Sequence, residues 1–322
     1  MRLAWLVSGL VLGLAVPSAQ ATKMRSTVPL PTRRAVALKP HPQVALTFDD
    51  VPAAGGLPEG ETRTAIATRL ADELRANHIQ DVYGFVVADG LSEDPDMQQA
   101  LRVWVDKGMR IGNHTWSHPE LSNTSAAAYE QEIARDEPVL RAYAQGHDWH
   151  WFRYPYLEEG DTVAKREQVR TWLRSHGYRI AEVTLNFNDD EWSDPYSRCL
   201  AKGDQADIAW LEQSYMENAA EFIRVGREEQ QIAFGHEIPN VLLLHETAFT
   251  TLMLPRLIEL LRQEGFRFTA LRRVERNRIY SRDPAAGLPN GGSLTNEFLD
   301  SRHLAYPAFT PEPEQRLNSL CE

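Results

Sequence analysis

Two adjacent carboxylates follow a short apolar run near the start of the chain. Residues 44–48 have the composition of a buried strand, and Asp49 and Asp50 come directly after them. Adjacent residues on an extended backbone point to opposite faces, so the two acids need not share one environment. One carboxylate could bind a metal ion while the other stays free to accept a proton. Because an acidic pair after a strand is more often a turn or a helix cap, partners must be found elsewhere in the chain.

A pair of histidines supplies such partners. His114 and His118 lie four residues apart, and if the segment forms one helical turn both rings can reach one ion. Alone, this spacing is more often two surface or capping histidines. With Asp50 it becomes a set of two imidazoles and one carboxylate, which suits zinc and similar divalent metals and leaves positions open for water. The three residues therefore predict a catalytic metal site.

Further side chains fit proton transfer beside such a metal. Asp49 is placed to act as the base, and Arg153 could pair with it, fix its orientation and keep it ionised. His245 ends the apolar run 241–244 and, when protonated, could donate a proton to a leaving amine or alkoxide. Leu243 could line a small apolar pocket for an acetyl methyl group. Read singly, these residues also fit a structural salt bridge, a core histidine and ordinary core packing.

Short apolar runs alternate with helical patterns over most of the chain. The runs predict seven strands, at 44–48, 82–88, 109–112, 149–152, 178–185, 240–244 and 266–269. Helices are predicted between them, one containing Ile66, Leu70 and Leu74 and others near 95–107, 124–145, 163–176, 205–225 and 250–264. This alternation is typical of an α/β fold with a parallel sheet or barrel.

The reactive side chains fall where predicted strands end. Five sets follow five strands: Asp49 with Asp50, His114 with His118, Arg153 with Tyr156, an Asn/Asp cluster with Trp192, and His245. In a parallel barrel the carboxyl ends of the strands gather on one face, where the active site is built. We therefore expect these groups to meet at one site.

The beginning of the chain has the pattern of a secretory signal. Arg2 precedes an apolar run over 3–16, and Ala19-Gln20-Ala21 has the small-x-small form of a cleavage site. A membrane anchor needs about 20 apolar residues, and neither this run nor a later one is long enough. We expect a signal peptide over 1–21, a loose leader over 22–36, and export to a periplasm or the outside without a membrane span.

Composition limits the partners of the protein. The 322 residues include 34 basic and 45 acidic side chains, giving a formal net charge of -11, which argues against nucleic acid or an anionic membrane as a partner. The two cysteines, Cys199 and Cys321, could form a disulfide in an oxidising compartment or stay free. The sequence does not specify the oligomeric state.

Together the motifs resemble the polysaccharide deacetylases of carbohydrate esterase family 4, the NodB-homology domain. The segments that carry the resemblance are 47–50, 114–118, 153–156 and 243–245, and they occur in the order of that family. The resemblance implies a distorted (β/α)7 barrel over residues 37–276, followed by an irregular C-terminal extension over 277–322. It also implies an acetylated polysaccharide or oligosaccharide as the substrate, N-linked or O-linked.

The resemblance assigns a role to each site residue. It implies one divalent metal ion, commonly zinc, held by Asp50, His114 and His118. It implies Asp49 as the base, Arg153 as its partner and His245 as the acid. The backbone N–H of Tyr156 would stabilise the oxyanion, and the residues expected to contact the substrate are Tyr156, Trp192, Leu243 and Asp189.

One motif departs from the family pattern. The family has Asp-x-x-Asp followed by an aromatic residue after the fifth strand, whereas this chain has Asn-Phe-Asn-Asp-Asp-Glu-Trp over 186–192. Alignment from Asn186 places Asp189 correctly but leaves no aromatic residue after it. Alignment on Trp192 puts Asn188 and Glu191 where aspartates are expected. The support of Arg153 and the acetyl pocket depend on this alignment.

Two functions of other classes remain open. A carbohydrate-binding protein of the same fold could lack turnover, although Asp49, His114, His118 and His245 are all present. An iron oxygenase also uses two histidines and one carboxylate, but a free aspartate, an arginine partner and a separate acid histidine have no evident role in oxygen chemistry.

Overall fold

Seven short parallel strands carry the predicted site residues at their carboxyl ends. The computed structural model describes residues 41–52, 55–284, 291–310 and 313–322, all within the compact unit Pro40–Glu322. Its strands are β1 Gln43–Val51, β2 Tyr83–Val86, β3 Arg110–Asn113, β4 Trp151–Phe152, β5 Arg179–Ile180, β6 Asn240–His245 and β7 Arg267–Phe268. All seven predicted strands are present, although β4, β5 and β7 are shorter than the apolar runs suggested.

The strands form one curled sheet whose two edges come together. The order is β5-β4-β3-β2-β1-β6, and β7 pairs with the first residues of β1. The chain leaving β5 then reaches β6, where Leu185 pairs with Leu242 and its N–H donates to the carbonyl of Val241 at 3.0 Å. Because Leu185 follows the strand at the opposite edge, this pairing closes the sheet. The distorted (β/α)7 barrel is therefore confirmed.

Helices connect the strands and cover the outside of the sheet. They are α1 Arg63–Ala76, α2 Pro95–Asp106, α3 Ala126–Tyr143, α4 Val163–Ser175, α5 Ser193–Lys202, α6 Gln205–Phe234, α7 Ala248–Gln263, α8 Leu271–Val274, α9 Leu294–Ser301 and α10 Glu314–Ser319. Each of α1 to α4 follows one strand and returns the chain to the next. Helices α5 and α6 are inserted between β5 and β6, and α6 continues well beyond its predicted end near residue 225.

Helix ends follow local chemistry. The helix predicted near 163–176 begins at Val163, and the side chain of Thr162 before it accepts the N–H of Lys165. The helix predicted near 124–145 begins later, at Ala126, because Ser125 is the capping residue. Gly108 and Gly177 have φ of 91° and 80°, a left-handed conformation that costs glycine little, and each ends a helical connection before a strand.

Strand β1 lies at the centre of the core. Val44, Leu46 and Phe48 are almost completely buried, and so is Ala45 on the opposite face. A strand covered on both sides reads as a continuous apolar run, which is why this segment was recognisable from sequence. The register pairs Asp49 of β1 with His245 of β6, so the two residues lie side by side at the carboxyl end of the sheet.

The C-terminal extension, residues 277–322, is not irregular throughout. It contains α9, which begins with a complete capping box formed by Ser293 and Asn296, and it also contains α10. Leu294, Phe298 and Leu299 of this extension are buried against the rest of the molecule. The prediction of an irregular extension was wrong here because these apolar positions find a surface on α6 that sequence periodicity alone does not reveal.

Buried ion pairs attach the extension to the barrel. Arg166 of α4 is fully buried and lies 2.5 Å from Glu159, 2.7 Å from Asp283 and 3.5 Å from Glu297 of α9. Removing one partner of a buried pair leaves an uncompensated charge, which costs about 3–5 kcal/mol. The group therefore fixes where the extension sits on the loop after β4.

The two cysteines are paired. Cys199 of α5 and Cys321, next to the end of the chain, form a disulfide that joins segments 122 residues apart. The end of the chain is thereby attached to the inserted helices.

The expected signal peptide and leader, residues 1–36, lie outside the described residues. Among the residues that the structure does describe, no helix combines the length and apolar character needed to cross a bilayer.

Candidate active site

Asp49 and Arg153 form a buried ion pair at the end of β1. The guanidinium Nη1 lies 3.0 Å from Oδ1 and 3.1 Å from Oδ2 of Asp49, and both side chains are almost completely buried. The arginine is held in turn by the carbonyl of Ala181 at 2.7 Å and by the hydroxyl of Thr47 at 3.2 Å. Its guanidinium also lies over the ring of Phe85, 4.6 Å from the centroid.

The charge state of Asp49 results from two opposing effects. Burial raises the pKa of the carboxyl to about 6, although the neighbouring Arg153 acts to lower it. The sequence had suggested that the arginine would dominate, but desolvation is the larger effect. A pKa of about 6 still leaves the carboxylate mostly ionised at pH 7, as a base requires.

Asp50, His114 and His118, which we call the metal triad, converge on one point. The Oδ1 atom of Asp50 lies 3.5 Å from Nε2 of His114 and 3.3 Å from Nε2 of His118. Two ligands about 2.0–2.1 Å from one tetrahedral ion are about 3.4 Å apart, so these separations fit a shared ion. Oδ1 of Asp50 is also buried without a hydrogen-bond partner among the described residues. The donor set therefore fits a divalent metal.

The imidazole of His114 is prepared for metal binding. Its Nδ1 lies 2.8 Å from the carbonyl oxygen of Arg153, so Nδ1–H donates to that carbonyl. The lone pair of Nε2 is then free on the side of the ring that faces Asp50. Burial, with His118 alongside, holds the pKa of His114 well below its usual value. The ring is therefore neutral, the form that coordinates metals.

The segment between the two histidines is not the helical turn expected from their spacing. It is an irregular loop in which the rings of His114 and His118 lie 4.8 Å apart between centroids. Asn113, the last residue of β3, accepts the N–H of Thr115 at 2.9 Å, and the hydroxyl of Thr115 accepts the N–H of His118 at 3.1 Å. These two bonds bring the rings together where a helix had been predicted to do so.

Residues of the site adopt backbone conformations that are rare for side chains other than glycine. Asp50, Thr115, His118 and Tyr156 have φ of 57°, 69°, 56° and 57°. Each such residue costs on the order of 1–3 kcal/mol and persists only where its surroundings hold it. Four residues with this conformation therefore lie at or beside the candidate site.

His245 is held by two aspartates on the other side of Asp49. Nδ1 of His245 lies 2.9 Å from Oδ1 of Asp189 and 3.4 Å from Oδ1 of Asp190, while its backbone N–H donates to Oδ2 of Asp189 at 3.0 Å. Burial alone would lower the pKa of His245, but the two carboxylates outweigh it and raise the pKa to about 10. The ring is therefore protonated at neutral pH and can act as a proton donor.

Two of the expected substrate contacts are buried and bonded to protein groups. Asp189 is fully buried and also accepts the hydroxyl of Thr250 at 2.5 Å, so its carboxylate orients His245. Trp192 is fully buried as well, and its indole N–H donates to Ser214 at 2.9 Å. Their contacts with a substrate stay predictions.

The contacts of Tyr156 and Leu243 with a substrate remain predictions. Tyr156 is 58% exposed, and its ring packs on that of His118 with 4.5 Å between centroids, so it borders the metal triad. Leu243 is buried on β6, two residues before His245.

Sequence reasoning missed several residues that position the site. Thr47 lies two residues before Asp49, on the same face of β1, and that alternation could have identified it. Thr250 left no comparable signal, because its partner Asp189 comes from a distant segment, and the bond of Asn113 to Thr115 depends on a loop conformation that the residue types do not reveal.

The fold and the placement of its polar groups define a (β/α) barrel with a site at the carboxyl ends of its strands. Within that class, residues 38–181 match the family model described as polysaccharide deacetylase. The resemblance inferred from the motifs is thereby confirmed over this part of the chain.

Curated relatives agree with this family. A peptidoglycan-N-acetylglucosamine deacetylase of Bacillus cereus is 28% identical over 147 residues, which are 46% of this chain and 46% of the relative. A chitin deacetylase of a Pestalotiopsis species is 26% identical over 192 residues, 60% of this chain and 57% of the relative. The chain thus spans about half the length of these relatives.

The similar solved structures include one named as a deacetylase and one named as a pseudoenzyme. The chitin deacetylase of Colletotrichum lindemuthianum has a TM-score of 0.49 and 21% identity, covering 73% of this chain and 88% of that one. A CE4 family pseudoenzyme from Bacillus anthracis has a TM-score of 0.49 and 17% identity, covering 73% and 66%.

Proposed function

We propose that the chain removes acetyl groups, N-linked or O-linked, from a carbohydrate with the help of a divalent metal ion. The observation that carries the proposal is the placement of Asp49 and His245. They are register partners on adjacent strands, next to the metal triad, and each is held by its own partner, Arg153 or Asp189. The printed names of the matched relatives support an acetylated glycan as the substrate.

The side chains divide the reaction between them. The metal triad would hold an ion such as zinc, which when bound lowers the pKa of a water and polarises the acetyl carbonyl. Asp49 accepts the proton of the attacking water, and Arg153 keeps the carboxylate in place. His245 donates a proton to the leaving nitrogen or oxygen as its bond to the carbonyl carbon breaks. The products are acetate and a free amine or hydroxyl.

A panel of acetylated glycans tests this proposal. Oligomers of N-acetylglucosamine, peptidoglycan fragments and acetylated xylan should be incubated with the protein, with and without chelator. Acetate release from at least one of them, abolished by the chelator and restored by zinc, is expected. Binding of a glycan without acetate release would instead establish the silent carbohydrate-binding protein. Iron in the purified protein with oxygen-dependent turnover would establish the oxygenase.

Export is part of the proposal. The pattern of the first 21 residues supports a signal peptide, and the polymers named for the relatives lie outside the cytoplasm in the cells that make them. Secretion of a fusion of residues 1–36 to a reporter would test this; a reporter retained in the cytoplasm would contradict it.

The partner of His245 gives a prediction about pH. In Asp189→Asn protein the charge that raises the pKa of the imidazole is lost, so the alkaline limb of the kcat/KM profile should move at least one pH unit below that of the parent protein. The sign follows because a histidine with a lowered pKa loses its donor proton at lower pH. Acetate release measured from pH 6 to 11 gives the profile.

Asp194→Asn is the matched control for this prediction, since it removes an equal charge from an exposed carboxylate that accepts the N–H of Gly56. Its alkaline limb should stay where the parent protein has it. An unmoved limb in the Asp189→Asn protein would show that His245 is not the acid.

A further inference from the structure

Two cavities are close to the metal triad. One, of 310 Å³, is lined by Asp50 and His118 together with Arg63 and Asp89. The other, of 290 Å³, is lined by Tyr156, whose ring packs on that of His118. A linear substrate that placed one unit at the metal would therefore have room for another unit beyond Tyr156.

The second cavity has a polar wall. Asn186, Asn188, Glu229, Ser293 and Asn296, which we call the extension subsite, contribute amide, carboxyl and hydroxyl groups to it. The described residues around the cavity include no lysine or arginine, so the wall does not favour an anion. Amide and carboxyl groups beside partly apolar walls are suited to the hydroxyl and acetamido groups of a neutral sugar.

Glu229 is a buried carboxyl group of the extension subsite. It is 8% exposed, and its Oε1 accepts a hydrogen bond from Asn296 at 2.9 Å. Burial raises the pKa of Glu229 to about 7, so near neutral pH the carboxyl can either donate or accept a hydrogen bond. A buried group with this capacity facing a cavity is available to a ligand.

The subsite is built by segments outside the recognised motifs. Glu229 comes from α6, and Ser293 and Asn296 come from the C-terminal extension. The extension approaches the active-site loop so closely that a Cβ on Gly291 would lie 2.1 Å from the carbonyl oxygen of Tyr156. The buried ion pairs of Arg166 hold this approach in place. The cavity is therefore a fixed neighbour of the site.

We propose that the extension subsite binds a sugar unit adjacent to the one that is deacetylated, so that the protein acts on chains of at least two units. This inference depends on the proposed function for the identity of the ligand. Asn186 stands at the position where the family motif begins with an aspartate, and here its amide lines the cavity. In this proposal, the asparagine that replaces the aspartate of the family motif takes part in substrate recognition.

The test compares a long and a short substrate. Glu229→Ala and Asn296→Ala proteins should lose tenfold or more in kcat/KM for the fully acetylated tetramer of N-acetylglucosamine, because each loses the side chain that hydrogen-bonds the neighbouring unit. Hydrolysis of 4-nitrophenyl acetate, which cannot reach the subsite, should stay within twofold of the parent protein. Glu228→Ala, at an exposed neighbouring position on α6, is the matched control and should change neither.

Equal losses for both substrates would show a structural effect and overturn the proposal, as would no loss for the tetramer. Calorimetric titration of the tetramer into the metal-loaded parent and variant proteins separates this inference from the proposed function. If no protein releases acetate but the parent binds the tetramer at least tenfold more tightly than the variants, the subsite stands and the hydrolase fails. Equal binding, or no binding to the parent, would refute the subsite.

Discussion

Asp49→Asn protein is expected to release acetate at least 10²-fold more slowly than the parent while still binding one metal ion per chain. Removal of a general base typically costs about 10²–10⁴-fold in rate. The substitution preserves the shape of the side chain but removes the charge that faces Arg153 at 3.0 Å. Steady-state acetate release with zinc supplied in excess measures the loss.

Metal content separates a catalytic from a structural effect in this variant. The arginine keeps its bonds to Thr47 and Ala181, so the site should still fold and hold the metal. Asp72→Asn, an exposed carboxylate on α1, serves as the control and should retain full activity. Undiminished acetate release from the Asp49→Asn protein would remove Asp49 as the base.

Asp50→Ala protein is expected to lose the metal altogether at concentrations that saturate the parent. Loss of a group that merely supports a ligand already weakens metal binding by about 10–100-fold, and loss of a ligand should cost more. Its Oδ1 atom is the point that both imidazoles approach, 3.5 Å from Nε2 of His114 and 3.3 Å from Nε2 of His118. Zinc titration followed by calorimetry measures the affinity.

The matched control for the metal is Asp89→Asn. Its carboxylate lies in the neighbouring cavity, accepts the indole N–H of Trp116 at 3.0 Å and belongs to no group of ligands in the described structure. This variant should bind zinc as the parent does. Parent-like zinc affinity in the Asp50→Ala protein would show that the ion binds elsewhere.

The sequence alone was sufficient to predict the barrel and to predict which residues would lie close together at the carboxyl ends of its strands. Residues 44–48 are buried on both faces, so their composition alone marked a central strand, and parallel pairing then required the polar groups that follow such strands to meet. The proximity of Asp49, Arg153 and the metal triad follows from that logic.

Local geometry was harder to predict because it depends on backbone conformations and contacts that residue spacing does not specify. The loop holding His114 and His118 is set by Asn113 and by left-handed backbone at Thr115, neither of which the spacing of the histidines reveals. Asp189 could be placed near the site but not behind His245, because its partner Thr250 comes from a helix far along the chain. The helices of the extension were missed because their apolar residues are buried only by packing on other helices, α9 on α6 and α10 on α5.

The departure at 186–192 shows how structure can reassign a motif. Arg153 obtains its support from Thr47 and the carbonyl of Ala181, so the aspartate expected at the start of the motif is not required to hold it. Asn186 is then free to line the cavity beside Tyr156. The same segment still provides Asp189, which holds the imidazole of His245.

Anomalous diffraction from crystals of the zinc-loaded protein tests the central claim most directly. The claim predicts one strong zinc peak within about 2.0–2.2 Å of Asp50 Oδ1 and of Nε2 of both His114 and His118, with Asp49 left uncoordinated. A peak at the cluster of Asp189, Asp190 and His245 instead, or no peak at the metal triad, would contradict it.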